Sequence, residues 1–289
     1  MAANRITLDH VAVVVPDLDG ARHAYERLGF RLTPLGEHKG PLRPGGPVEP
    51  WGTGNHCAMF RDGYLEVLGI TNPTRPHDHI QARLERYAGL SLIALGCDDV
   101  AASARGLAER SVPLAGGVSE MERDIPCEGE LRCARFRFSF LEDGFFPEAH
   151  CFYIQHLTPE LLWQPALLDQ ANGVVALGGV TVCAADPGDT AARLEKVLGV
   201  APKEGEGRAR FELDRGWIEV TGAAGLADRF PGVAPPVLPW VAAVTFLVDD
   251  ADKTRRFFDD RTFEVCGDGA KFWLGPAPAE GAILEFVAA

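Results

Sequence analysis

One unit, met four times along the chain, most constrains what it can fold into. In its first copy an apolar strand beginning at Ile6 runs into Pro16-Asp17, then an amphipathic helix stopped by Gly29. A short strand follows at Phe30–Thr33. After a Gly- and Pro-rich loop, Leu35–Gly54, come two strands, Asn55–Arg61 and Tyr64–Ile70, joined at the Asp62-Gly63 turn. Asp17 suits a helix N-cap, and Ala21, Tyr25 and Leu28 make the helix's apolar stripe. The same order returns from residues 90–97 (LSLIALGC), 177–185 (LGGVTVCAA) and 241–248 (VAAVTFLV), each leading into an Asp and a helix. Each copy ends on a strand with one acid or amide: YLEV at 64–67, YIQH at 153–156, WIEV at 217–220 and ILEF at 283–286. Such internal repetition specifies a modular βαβββ architecture.

These four units, with LDHVAVVVPDLDGARHAYERLGF and NHCAMFRDGYLEVLG in the first, resemble the vicinal oxygen chelate superfamily and its glyoxalase-like domains. The resemblance implies an α+β fold in which four βαβββ modules pair into two cupped eight-stranded barrels. It divides the chain into residues 1–165, the first pair and the expected working half, and 173–289, an expected structural half. It also implies a metal on the concave face, held by the first and last strands of each module.

Carried onto this chain, the matched positions are His10 and Glu66, Ser91 and Gln155, Gly179 and Glu219, and Ala243 and Glu285. The resemblance therefore points to His10, Glu66 and Gln155 as ligands of a divalent ion (Zn, Ni, Mn or Fe(II)), with Glu66 doubling as the catalytic base. Glu66 lies between Leu65 and Val67, where a carboxylate needs a cation, a basic partner or a proton. Glu219 and Glu285 have no histidine nearby in sequence, and an arginine partner or an exposed face accounts for them.

All eight histidines fall between His10 and His156, which places any imidazole chemistry in the first half. A two-residue turn would set Met59 opposite Glu66 and send His56 to the other face, leaving it a contact at the cavity mouth. His150 and His156 have the opposite parity to Gln155 and read as structural. His23, His77 and His79 read as solvent-facing. In RFRFSF (135–140), Arg135 and Arg137 share one face; lining the cup they would bind a carboxylate or phosphate, and facing solvent they are a charged edge. Trp51, in the long loop, is placed to cover a bound organic molecule.

A net charge of −13 with no basic stripe argues against nucleic acid and anionic membranes as partners. Seven scattered cysteines without a CxxC spacing read as reduced thiols. With no signal-like N-terminus and no long apolar run, a cytoplasmic protein is expected. No P-loop, dinucleotide fingerprint or nucleophile elbow is present, so no nucleotide cofactor is expected. The expected function is a metal-assisted lyase or isomerase acting on a small oxygenated organic substrate. A non-catalytic sequestering protein and a ring-cleaving dioxygenase are the alternatives. A homo-oligomer is compatible with the sequence.

Overall fold

A computed structural model describes residues 4–41, 46–127 and 129–289, leaving part of the Leu35–Gly54 segment and the His79 side chain outside the described residues. The first half runs β1 (Ile6–Val15), α1 (Leu18–Arg27), β2 (Gly36–Pro41), β3 (Val48–Met59), β4 (Tyr64–Ile70) and a short helix α2 (Asp78–Leu84). It continues with β5 (Gly89–Cys97), α3 (Val100–Glu109), β6 (Ser119–Cys127), β7 (Glu130–Phe140) and β8 (His150–His156). The second half runs β9 (Val174–Cys183), α4 (Pro187–Leu198), β10 (Lys203–Gly205), β11 (Arg208–Glu212), β12 (Trp217–Thr221) and α5 (Ala223–Arg229). It ends with β13 (Trp240–Val248), α6 (Ala251–Asp259), β14 (Val265–Asp268), β15 (Lys271–Leu274) and β16 (Ile283–Ala288).

Two eight-stranded mixed sheets result, in the orders β2-β3-β4-β1-β5-β8-β7-β6 and β10-β11-β12-β9-β13-β16-β15-β14. In each, the opening strands of two modules pair antiparallel at the centre, β1 with β5 and β9 with β13. Each opening strand also pairs parallel with its own module's last strand. This is the expected cupped α+β architecture. The recurring aspartates explain its repetition. Asp17, Asp99, Asp186 and Asp250 each accept backbone N–H bonds at the start of the helix that follows the opening strand. Each caps donors that the first helical turn cannot otherwise satisfy.

Alternation along the strands divides the apolar residues between two sides. Val11, Val13 and Val15 face outward with Leu65 and Val67, against Leu18, Ala21 and Tyr25 of α1, in a core that runs through both halves. Ala12, Val14, Tyr64 and Leu68 face the concave side of the first sheet. The halves are joined by backbone bonds, Leu8 N to Arg215 O and Leu177 N to Asp62 O at 2.8 Å each. A buried pair, Arg193 on Glu148 at 2.6 Å, spans them as well.

The segment expected as a loop, Leu35–Gly54, belongs largely to the β2–β3 hairpin, with β3 reaching back to Val48. Its Gly and Pro content reads as loop because β2 is an edge strand and residues 48–52 of β3 run past the end of β4, places where Pro and Gly are tolerated. The hairpin matters for the cup. It brings β2 to the opposite edge strand, β6, where Lys39 Nζ meets Asp124 Oδ2 at 2.7 Å. The two edges of the first sheet thereby approach each other through side chains.

Candidate functional site

Two bulges set the register of the first cup. Leu8 pairs with Leu95 and His10 with Ala94, so Asp9 is the extra residue in β1; Ala12 pairs with Leu92 and Val13 with Leu90, so Ser91 is the extra residue in β5. A bulge re-aims the residue that follows it. His10 turns into the cup, opposite Tyr64, with Glu66 two residues further along β4. The symmetry-related positions in the second module are Leu92, paired with His150, and Phe152, paired with Ala94. Ser91 matches Asp9, not His10.

The expected site therefore needs correction at Gln155. In β8 the concave side chains are His150, Phe152 and Ile154, so Gln155 faces out. Its Oε1 accepts a hydrogen bond from Val100 N, at the start of α3, at 3.3 Å. His150 keeps the parity opposite to Gln155 and so turns inward, stacked on Phe140 at 5.4 Å, not toward the helices as a structural residue. Arg135 and Arg137 lie on the outer, exposed face of β7, Arg137 paired with Glu120 at 2.7 Å, while Phe136, Phe138 and Phe140 line the cup. His56 also faces out, with Nδ1 2.8 Å from Thr33 O. The turn after β3 is longer than two residues, so Cys57 rather than Met59 lies opposite Glu66. The shift is two residues and leaves the faces unchanged. Trp51 does line the cavity, its Nε1 donating to Gly40 O at 3.1 Å.

The structure brings His10 and Glu66 together with three residues that sequence reasoning did not select: His38, Asn55 and Arg123. They share a cavity of about 350 Å³, walled elsewhere chiefly by aromatic and aliphatic side chains. Asp9 Oδ1 accepts from His10 Nδ1 at 2.7 Å, and Nε2 faces Glu66 Oε2 at 3.8 Å. In the neutral ring Nε2 is then the bare nitrogen. Tyr64 stacks on the imidazole at 4.2 Å. On the other side Thr53 Oγ1 holds His38 Nδ1 at 2.9 Å, and His38 Nε2 stands 3.9 Å from Glu66 Oε1. Burial pushes His38 down to about 4, only partly offset by the Glu66 charge, so it is neutral at pH 7.

Glu66 is 6% exposed, and its Oε1 accepts a bond from Asn55 Nδ2. Asn55 Oδ1 in turn accepts from Arg123 Nη1 at 3.0 Å, across the seam between β3 and β6. Oε2 is the carboxylate oxygen left open to the cavity. Burial pushes the Cys57 thiol up to about 12, which removes it as a nucleophile.

These donors were tested against the divalent ion that the superfamily implies. The two second-module positions are apolar, Leu92 and Phe152. Among the described residues no three His, Cys, Asp or Glu side chains are gathered to hold an ion. The residues as placed do not fit a resident metal, and no step below runs through one.

The second cup is filled. Arg229 of α5 reaches into it, its Nε donating to Glu285 Oε1 at 3.0 Å and its Nη groups to Glu285 Oε2 and Glu219 Oε1. Thr245 Oγ1 adds a bond to Glu285 at 2.6 Å. Where the first cup has His10, this one has Gly179, and a Cβ there would lie 2.1 Å from the Trp217 indole nitrogen. The strand-end acids thus have the arginine partner that the sequence left open.

Paired βαβββ modules with one open cup and one arginine-filled cup define the class. The Glyoxalase-like domain family model matches residues 8–198, and the chain belongs to that family. No curated protein matches it. Among solved structures it is similar to a hypothetical protein from Staphylococcus aureus, at TM-score 0.67 and 15% identity, covering 98% of this chain and 100% of that one. A triple mutant of 4-hydroxymandelate synthase from Streptomyces coelicolor matches at TM-score 0.61 and 13% identity, over 98% and 92% of the chains. A xylose isomerase-like TIM barrel/4-hydroxyphenylpyruvate dioxygenase fusion protein matches at 0.59 and 12%, over 98% and 48%. At these identities the likeness is one of fold.

Proposed function

We propose that the first cup is an enzyme site that moves a proton on a small, largely apolar carbonyl compound, a lyase- or isomerase-type reaction. One observation carries the reading. A buried carboxylate with one oxygen tied to Asn55 and the other open toward His10 faces a cavity whose remaining walls are mainly hydrocarbon. Such walls keep bulk water away from the reacting atoms.

In this reading Glu66 Oε2 takes the proton from the carbon next to the carbonyl. The electron pair of that C–H bond becomes the carbon–carbon double bond of an enolate as the carbonyl π pair moves to oxygen, and the proton returns from Glu66 to the same carbon as the carbonyl re-forms. His10, fixed by Asp9 and by stacking on Tyr64, sits beside the open oxygen with its bare Nε2 facing the place of proton transfer. Asn55 keeps Oε1 out of the transfer. Groups held this way supply positioning rather than new covalent chemistry.

The test is exchange of the benzylic protons of phenylacetone in D2O, followed by NMR. The full chain is expected to accelerate exchange over buffer, and Glu66→Gln to remove the acceleration. Ligand binding without exchange would overturn catalysis. It would favour sequestration of an apolar molecule, the reading to which the hydrocarbon lining gives independent support.

A further inference from the structure

Arg123 stands apart among the cavity groups. It lies in β6, across from Ala134, and its side chain reaches the cavity rather than solvent. Its Nη1 donates to Asn55 Oδ1, an uncharged acceptor, at 3.0 Å. Among the described residues no carboxylate lies within ion-pair distance of its guanidinium. The cation of the other cup behaves differently: Arg229 is bonded to two carboxylates, Glu219 and Glu285. A guanidinium presents five N–H donors in a planar fork that suits a carboxylate. Glu66 is linked to this guanidinium through Asn55 and not by a direct ion pair, so an arriving anion would give the buried charge its direct partner.

Register indicates where the rest of such a molecule would lie. Met121 pairs with Phe136 and Ser119 with Phe138, so the aromatic stripe of β7 begins one inward-facing position from Arg123. Two residues of strand span about 6.8 Å. Arg123, Phe136 and Phe138 line the same cavity, with the two rings one and two such backbone steps along from the Arg123 position. A carboxylate on Arg123 and an aryl group packed against Phe136 and Phe138 therefore share one cavity, joined by a short alkyl chain.

We infer that Arg123 is the anchor for a ligand carboxylate, and that the first cup takes an arylalkyl monocarboxylate. This inference rests on the first cup being the ligand site, as proposed above, but not on Glu66 acting as a base. It gives the guanidinium, which has no direct ion pair among the described residues, a ligand carboxylate in the place where the other cup uses its own glutamates.

The experiment compares 3-phenylpropanoate with the isosteric 3-phenylpropanamide by calorimetric titration of the full chain. The carboxylate is expected to bind at least ten-fold more tightly than the amide. Arg123→Gln is expected to abolish that preference while leaving amide affinity unchanged, and Arg123→Lys to retain part of it. Arg137→Gln, on the outer face of the neighbouring strand, is expected to leave the preference intact. Equal binding of the two compounds by the unaltered protein would overturn the inference, a result that does not depend on any variant folding. So would a preference that survives in Arg123→Gln. Glu66→Gln separates the two readings, because it is expected to lose proton exchange and keep the carboxylate preference. Binding of neither compound would overturn both.

Discussion

Asp9 and His10 are neighbours in sequence whose side chains meet at 2.7 Å, although consecutive residues of a regular strand point to opposite faces. The bulge at Asp9 makes this contact available. The same carboxylate accepts from His156 Nε2, at 3.1 Å to each oxygen, so one buried acid fixes an imidazole inside the cavity and another outside it. Burial opposes ionisation of Asp9, but the His156 charge and the two histidine bonds prevail and hold it below the usual carboxylate range. Asp9→Asn keeps the shape and leaves one of the two rings without its acceptor. Urea unfolding is expected to show a loss of about 2 kcal/mol.

His38 supplies a pH dependence with a definite sign. Its folded value lies near 4, against 6.5 when exposed, so between these values the unfolded chain binds the extra proton. Stability is therefore complete above about pH 6.5 and falls as pH drops toward 4, by about 1.4 kcal/mol per unit at most. Asp9 acts in another window. A carboxylate depressed below 3.8 contributes fully above that value and is lost only as pH falls through its lower folded one. Thermal melts between pH 7 and pH 5 are expected to show a steeper fall for the unaltered protein than for His38→Gln. Equal slopes would remove His38 as the titrating group.

The order of elements was legible because each copy carries its own punctuation: an apolar strand, a capping aspartate and a closing acid or amide. His10 and Glu66 were legible for the same reason, since β1 and β4 belong to one module and their separation is set by local elements. Gln155 was misplaced because YIQH looks like YLEV in composition, yet its inward residues are one position out of step. The bulge at Ser91 that sets β5's register leaves no mark in the residue pattern. His38, Asn55 and Arg123 were not selected because their contact depends on two edge hairpins meeting at a seam. No periodicity within either hairpin records that meeting.

Removing the cation from the second cup is expected to be costly. Arg229→Met would leave Glu219, 5% exposed, and Glu285, fully buried, without the cation they share, Glu285 keeping Lys271 at 3.1 Å and Glu219 only Arg208 at 3.9 Å. A loss of about 3–5 kcal/mol in unfolding free energy is expected. Replacing the two glutamates by Met and Leu in the same chain should recover most of it, because a filled apolar cup needs no internal charge. The carboxylate-over-amide preference of the recovered protein should match that of the unaltered one. A changed preference would show that the second cup contributes to ligand binding.

Gln155 and Glu66, expected together from the sequence, should separate cleanly when each is changed. Gln155 contributes a single long bond to the start of α3, 3.3 Å from Val100 N, on the far side of the strand from the cavity. Gln155→Ala is expected to cost about 0.5–1 kcal/mol in stability and to leave the phenylacetone exchange rate unchanged. Glu66→Gln retains an acceptor for Asn55 but cannot take a proton at the open position. The exchange rate is expected to fall by about 10²-fold or more, with little change in affinity. A comparable loss of rate in Gln155→Ala would put the chemistry on the outer face of β8 and contradict the alternation that turns Phe152 inward.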